Sequence, residues 1–249
     1  MLFSVVLCVN KNIPYLKDAI LSVINQNYSN EFEFIIVANN CEDELYEYLK
    51  TFKDSRIRLF RTQIGQLSFN LNYALNLSYG EYIIRMDADD ISLPMRLAET
   101  EKEILLAQPD VLGFSANYIN EQGKVIGQTP DYSSKNLRTL LLMKNPFVHP
   151  TVAIKKKILL SIGGYLGGRQ SEDYDLWIRL SKISGVNFTI SPIKVLEYRI
   201  NEEQSRGNVL PYCEVSSYFL REFLISWNPK YLCAMLIAIC KRIILPVSK

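Results

Sequence analysis

The chain is short of histidine and of early glycine, and each shortage excludes chemistry. His149 is the single histidine among 249 residues. A multi-histidine metal site is therefore impossible, and metal binding or proton transfer falls to carboxylates. No glycine precedes Gly65. The first strand-to-helix turn thus has neither a Gly-rich dinucleotide fingerprint nor a phosphate-cradling P-loop. The five cysteines (Cys8, Cys41, Cys213, Cys233, Cys240) contain no C-x-x-C and no zinc spacing. They read as buried thiols in a reducing compartment. Met1-Leu-Phe-Ser lacks the charged start of a signal peptide. No uninterrupted apolar run reaches the roughly 18 residues that cross a bilayer. The expected location is cytoplasmic. Charge of one sign is also scarce: 28 Lys+Arg against 26 Asp+Glu leave +2, too small a surplus for a nucleic-acid partner. At 48% hydrophobic residues, the chain is not disordered and can bury the core of one α/β domain.

What is present alternates strand and helix. Ser4–Val9 is a continuous apolar run, as in a strand buried on both faces. Asn12 is placed to cap a helix with Pro14 in its first turn, carrying Leu16, Ala19, Ile20, Val23 and Ile24 on one face. Strands are expected at Glu33–Ala38, Arg56–Arg61 and Glu81–Met86, with helices bearing Leu45, Tyr48, Leu49 and Phe52 and then Ser68–Leu77 between them. This order predicts a mostly parallel sheet flanked by helices, with ligands beyond the carboxyl ends of its strands. Three polar clusters fall at those ends: Asn10–Asn12, Asn39–Asp43 and Asp87–Asp90.

Asp87-Ala88-Asp89-Asp90 is the strongest chemical signal. Three carboxylates so close repel one another, and a hard cation such as Mn²⁺ or Mg²⁺ relieves that cost. Capping of the next helix by Asp90 or Ser92 accounts for one of them, not three. An EF-hand is excluded, because Ser92 and Ala98 stand where its glycine and its last ligand belong. A second acidic signal, Ser171-Glu172-Asp173, opens a helix after Gly163, Gly164, Gly167 and Gly168. A carboxylate there is the natural base of a chain with one imidazole, aided by the helix N-terminus.

The runs S-V-V-L-C-V-N, F-I-I-V-A-N-N and G-E-Y-I-I-R-M-D-A-D-D-I-S-L-P-M-R-L resemble the family 2 glycosyltransferases over roughly residues 1 to 205. The resemblance implies a GT-A fold and inverting transfer of a sugar from a nucleotide-diphosphate donor. By that match Asp87 and Asp89 form the D-x-D motif, with Asp89 as the direct metal ligand and Asp87 near the ribose or the metal. Val9, Asn10, Asn12, Asn39 and Ala88 would line the donor pocket, and Asp173 would be the base with Glu172 beside it. Ala38-Asn39 departs from the family's usual Asp-Asp, though an Asn carbonyl still accepts the imide N–H of uracil. His149, in H-P-T-V, would face the acceptor or brace the site. Arg199 would either neutralise the diphosphate or form a surface salt bridge. The Q-x-x-R-W run of processive members is absent, which favours transfer of a single sugar.

Residues 1–208 are read as the glycosyltransferase domain, divided near residue 100 into nucleotide and acceptor halves, and 209–249 as a helical extension. The extension has a ten-residue apolar run before Lys241-Arg242. It would lie in a membrane interface with Lys230, Lys241, Arg242 and Lys249 at the headgroups, or cover the core, or join a second copy. By resemblance, the acceptor is a lipid-diphosphate-linked saccharide of bacterial surface polysaccharide synthesis. Two other classes fit parts of the pattern: a metal-dependent nucleotidyltransferase, and a non-catalytic sugar-nucleotide-binding subunit.

Overall fold

The computed structural model describes residues 1–133, 135–200 and 209–244. Strands β1 (Phe3–Val9), β2 (Phe32–Asn39), β3 (Ile57–Thr62) and β4 (Tyr82–Met86) run parallel in the order β3-β2-β1-β4. Helices α1 (Leu16–Ile24), α2 (Asp43–Leu49) and α3 (Leu67–Leu77) are their crossovers. Every residue of β2 and β4 is buried, which is why these strands read as unbroken apolar runs rather than alternating ones. The register sets Val9 beside Ala38, Asn39 beside Thr62 and Leu7 beside Met86. It therefore gathers the three polar clusters at one edge of the sheet. Gly80 permits the approach of β4 to β1, since a Cβ there would stand 2.4 Å from the backbone nitrogen of Ser4.

The second half contributes β5 (Ile91–Ser92), α4 (Arg96–Ala107), β6 (Val111–Ile119), β7 (Val125–Gln128) and α5 (Leu137–Leu140). After a short 3₁₀ turn at His149–Thr151 come β8 (Ala153–Lys155), α6 (Lys156–Ser161), α7 (Glu172–Ser181) and β9 (Phe188–Arg199). The sheet continues past β4 as β8-β6-β9-β5, with β7 on β6. β6 and β9 pair in parallel, whereas β8 joins β4 and β6 antiparallel and β5 joins β9 antiparallel. The sheet is thus parallel through its first four strands and mixed beyond them.

Two helix starts differ from the sequence reading. Asn12 is exposed and caps nothing: α1 begins at Leu16, with Tyr15 as its N-cap in right-handed helical conformation and no side-chain cap. Nor do Asp90 or Ser92 cap α4, whose N-cap is Met95. The intervening residues are instead drawn into β5, paired with β9.

The chain closes with a hairpin of α8 (Leu210–Ser226) and α9 (Pro229–Ile244), turned at Trp227 (φ 54°). It packs against α7. Phe219 meets Tyr174 edge-on at 6.0 Å between ring centroids, and Arg221 pairs with Asp175 at 2.7 Å. α9 buries Tyr231, Ala234 and Ala238 into the same core. This face of the extension covers the core, while Leu224, Trp227, Leu236 and Ile243 remain exposed on the other side. Cys213, Cys233 and Cys240 are exposed too, so the expectation of buried thiols fails for the hairpin, which places all three on outward positions. Among the described residues no helix is long and apolar enough to cross a membrane. Lys249, and the stretch 201–208 across which the first domain was expected to end, lie outside the described residues.

Candidate active site

The sheet edge defines the first half of the site. Val9 is buried and Asn10 exposed at the end of β1, and Asn39 is buried at the end of β2. Asn39 Oδ1 has no hydrogen-bond partner among the described residues, a costly state for a buried carbonyl unless a ligand supplies a donor. Beyond β4, Asp87, Ala88 and Asp89 are half-buried while Asp90 is buried. Arg85, buried in β4, donates to Asp87 Oδ1 and to the Met86 carbonyl. It fixes the first carboxylate from below.

Asp90 does other work. It accepts the backbone N–H of Arg199 at Oδ1, 2.8 Å away. Burial, with the nearby charges of Asp87 and Asp89, holds its carboxyl well above the usual range. A buried carboxyl held toward protonation and bound to a backbone N–H is a brace rather than a cation ligand. Arg199 also departs from its expectations. It is neither on the surface nor open to a diphosphate, but 3% exposed. Its guanidinium donates to the carbonyls of Asp89 (2.8 Å), Asn120 (2.7 Å) and Glu121 (3.0 Å). It also lies 3.9 Å over the Tyr15 ring. Arg199 thereby ties the acidic loop to β9 and to the start of α1.

Asp87 and Asp89 remain as the candidate cation ligands. Among the described residues no group of three or more His, Cys, Asp or Glu side chains converges on one point. Two carboxylates completed by substrate phosphates and water are what Mg²⁺-like ions accept, so this donor set fits such an ion without a closed protein cage.

The second half of the site is a cleft of about 530 Å³ whose walls include Asp87, Asn145, His149, Glu172, Asp173 and Tyr198. α7 places Glu172 and Asp173 in its first turn, behind the N-cap Ser171. The loop before it is pinned from α8. Glu214 accepts Arg169 N–H at 2.7 Å, Gln170 N–H at 3.2 Å and Ser171 Oγ–H at 2.5 Å. Gly168 makes that loop possible at φ +92°, where a Cβ would sit 2.4 Å from Tyr218 Oη.

Burial pushes the Asp173 carboxyl up to about 6, against the pull of Asn145 Nδ2–H at 2.7 Å and Tyr174 N–H at 2.7 Å. Burial and then the charge of Asp173 push Glu172 up to about 7. His149 moves the opposite way: burial, followed by repulsion from Arg85, holds it well below the usual imidazole range. Its Nε2 meets Tyr165 Oη at 3.0 Å, and its Nδ1 lies 3.9 Å from Glu172 Oε1. Near neutrality, therefore, the carboxylates exchange protons here and the imidazole does not.

The structure thus brings Asp87, His149, Glu172 and Asp173 onto one cleft and keeps Arg199 out of it. Sequence reasoning missed Arg85, Asn145, Tyr165 and Glu214. Arg85 left a signal, a lone cation inside an apolar strand beside three acids; the other three left none. A second cleft, of about 520 Å³, lies at the opposite edge of the sheet among Tyr28, Arg56, Arg58 and Tyr79. Its arginines are already paired: Arg58 with Glu33 and Arg56 with Asp54 at 2.6 Å.

The model of glycosyl transferase family 2 matches residues 4–176, a span that holds both acidic clusters. The chain is 36% identical to the O-antigen biosynthesis glycosyltransferase WbnJ of Escherichia coli, over 98% of this chain and 97% of that one. It is 32% identical to an uncharacterized glycosyltransferase of Methanocaldococcus jannaschii, over 93% and 82%. Among solved structures, TarS 1-349 of S. aureus in complex with UDP-GlcNAc superimposes at a TM-score of 0.69, with 16% identity over 90% of this chain and 67% of that one. The mannosyltransferase PcManGT of Pyrobaculum calidifontis, in complex with GDP-Man and Mn²⁺, superimposes at 0.66, with 15% identity over 96% and 74%. These likenesses establish the GT-A fold. With the matched family span and near-full-length relatives, they mean that this chain belongs to glycosyl transferase family 2.

Proposed function

We propose that this glycosyltransferase moves one sugar, with inversion, from a nucleoside-diphosphate sugar to a hydroxyl of a lipid-diphosphate-linked saccharide in O-antigen-type surface polysaccharide assembly. The observation that carries the reading is the meeting of Asp87 and the Glu172-Asp173 pair on one cleft. The donor's leaving group would lie on the Asp87–Asp89 side and the acceptor on the α7 side. Asp173 takes the acceptor proton as the hydroxyl oxygen bonds to the anomeric carbon and the bond to the diphosphate breaks. Such a base contributes roughly 10²–10⁴-fold. Asn145 and the Tyr174 N–H hold its two oxygens. His149, hydrogen-bonded to Tyr165, lies behind Glu172.

Asp87 and Asp89 would hold Mn²⁺ or Mg²⁺, which when bound supplies positive charge to the departing diphosphate. The unpartnered Oδ1 of Asn39 suits a base that offers an N–H, as the imide of a uridine donor does. The relative from Escherichia coli supports the polysaccharide context by its name. The exposed apolar side of the α8–α9 hairpin suits peripheral membrane contact at the inner face of the membrane. A second copy on that side is the competing occupant.

The test is Asp173→Asn. Release of nucleoside diphosphate from a panel of sugar nucleotides with Mn²⁺ should fall by at least 10²-fold, while donor-induced thermal stabilisation persists. Near-normal turnover in this variant would remove Asp173 from the role of base.

A further inference from the structure

Beside the cleft lies an apolar groove that the transfer chemistry does not use. It has a volume of about 290 Å³ and runs between the segment that follows α5 and the helices α8 and α9, walled by Leu142, Val215, Phe219, Ala234 and Ala238. Groove and cleft adjoin, with Tyr174, Pro211 and Val215 lining both. No acidic side chain lines the groove, but two lysines do, Lys144 and Lys241. Lys144 Nζ stands 4.6 Å over the ring of Tyr132, itself a wall of the cleft. Lys241 reaches the same rim from α9 and donates to the Met143 carbonyl. Among the described residues neither lysine has an ion-pair partner. Burial, and then the like charge of Lys144, hold Lys241 below the ordinary lysine range. The pair therefore stands uncompensated on the wall of the apolar groove, with Lys144 against Tyr132 on the cleft side.

A ligand that satisfies all of this has three parts in a fixed order: a polar end in the cleft, an anionic middle at the lysines and an apolar chain in the groove. We infer that the groove seats the first part of the hydrocarbon chain of a lipid diphosphate, with its diphosphate between Lys144 and Lys241 and its sugar directed toward Asp173. The inference rests on the acceptor reading above and gives that acceptor a physical seat. Burying each methylene multiplies affinity by about fourfold in the limit of full desolvation, so chain length should be felt strongly until the groove is filled. The groove also explains why α9 carries small residues, Ala234 and Ala238, along its wall: larger side chains would close it.

Lipid diphosphates without sugar test the seat independently of transfer. The full chain, in EDTA to suppress metal-dependent diphosphate binding at Asp89, is titrated with inorganic pyrophosphate, dimethylallyl diphosphate and farnesyl diphosphate. Farnesyl diphosphate should bind at least tenfold more tightly than dimethylallyl diphosphate, and pyrophosphate weakest. Ala238→Phe should remove the gain from chain length. Lys144→Ala combined with Lys241→Ala should weaken all three ligands together while keeping the chain-length ratio. This second variant changes partly exposed side chains, so it keeps the test open should Ala238→Phe fail to fold by circular dichroism. Equal affinity for the three diphosphates overturns the inference, and so does an undiminished ratio in folded Ala238→Phe. A ratio that appears only when phospholipid vesicles are added assigns the effect to the membrane surface and also overturns it. Failure here leaves sugar transfer standing; absence of sugar-nucleotide turnover with this ratio intact would remove the transferase reading instead.

Discussion

Asn145 donates from Nδ2 to Asp173 Oδ2 at 2.7 Å, joining the loop before the 3₁₀ turn to the first turn of α7. The other oxygen of Asp173 takes the Tyr174 N–H, also at 2.7 Å. The carboxylate is held at both ends although it is pushed toward protonation by burial. Asn145→Ala removes the strongest of the hydrogen bonds that favour the charged form. The carboxyl should therefore become harder to ionise, and its aim less sharp. We expect kcat to fall about tenfold, the order of one lost charge-assisted hydrogen bond. The acid limb of the pH–rate profile should move to higher pH, with donor KM little changed. A loss of activity with an unmoved acid limb would mean that Asn145 only supports the fold.

The Glu172-Asp173 pair gives a prediction whose sign follows from the direction of the shifts. Both carboxyls are raised, to about 7 and about 6. The folded chain thus keeps protons that the unfolded chain has released by neutrality, and stability contributed by these groups is lost as pH rises through the raised values. Glu172→Gln removes one of these ionisations, the one opposed by the charge of Asp173. The variant should be more stable than the wild type at pH 8, by up to an order of 3 kcal/mol, and similar to it at pH 5. Its activity should begin at the same pH as in the wild type, because Asp173 ionises first, while Glu172 is still protonated. Denaturant melts at the two pH values and one pH–rate profile check both halves.

How much of this was legible in the sequence follows from the range of each interaction. β1, β2 and β4 declared themselves because both of their faces are buried, and the acidic clusters did so because like charges rarely gather without a reason. The Glu172-Asp173 helix start was equally local. Arg199 was not legible. Its partners Asp89 and Asn120 are separated from it by 110 and 79 positions, and only the pairing of β9 with β5 on one side and β6 on the other brings them together. The apparent cap at Asn12 misled for a related reason. Capping residues mark helix starts on average, but here Pro14 and Tyr15 stand between Asn12 and a helix set by burial of Leu16.

Arg199 therefore predicts differently from a diphosphate ligand. Arg199→Met keeps much of the apolar stem but strands the carbonyls of Asp89, Asn120 and Glu121 in a buried setting. Leaving buried acceptors unpaired costs about 1–3 kcal/mol each at most. Urea unfolding of the donor-free protein should show a loss of about 3 kcal/mol, and the donor should bind more weakly because the acidic loop is no longer tied to β9. A variant of wild-type stability that loses only donor affinity would restore Arg199 to the diphosphate.

Asp89 and Asp90 sit side by side but should respond in opposite ways to the same change. Asp89 is half-buried at the donor edge, whereas Asp90 is buried, bound to the Arg199 N–H and held toward protonation. Asn is nearly the shape of a protonated Asp and keeps an acceptor for that N–H. Asp90→Asn should therefore fold and bind donor with Mn²⁺ much as the wild type does. Asp89→Asn removes a charge from a two-carboxylate set that has no third ligand among the described residues. Its donor-induced thermal shift should fall to the level that the wild type shows in EDTA. Thermal shift of the two variants with a sugar nucleotide, with and without Mn²⁺, separates them. Equal loss in both would make Asp90 a ligand, and equal retention would move the cation away from this loop.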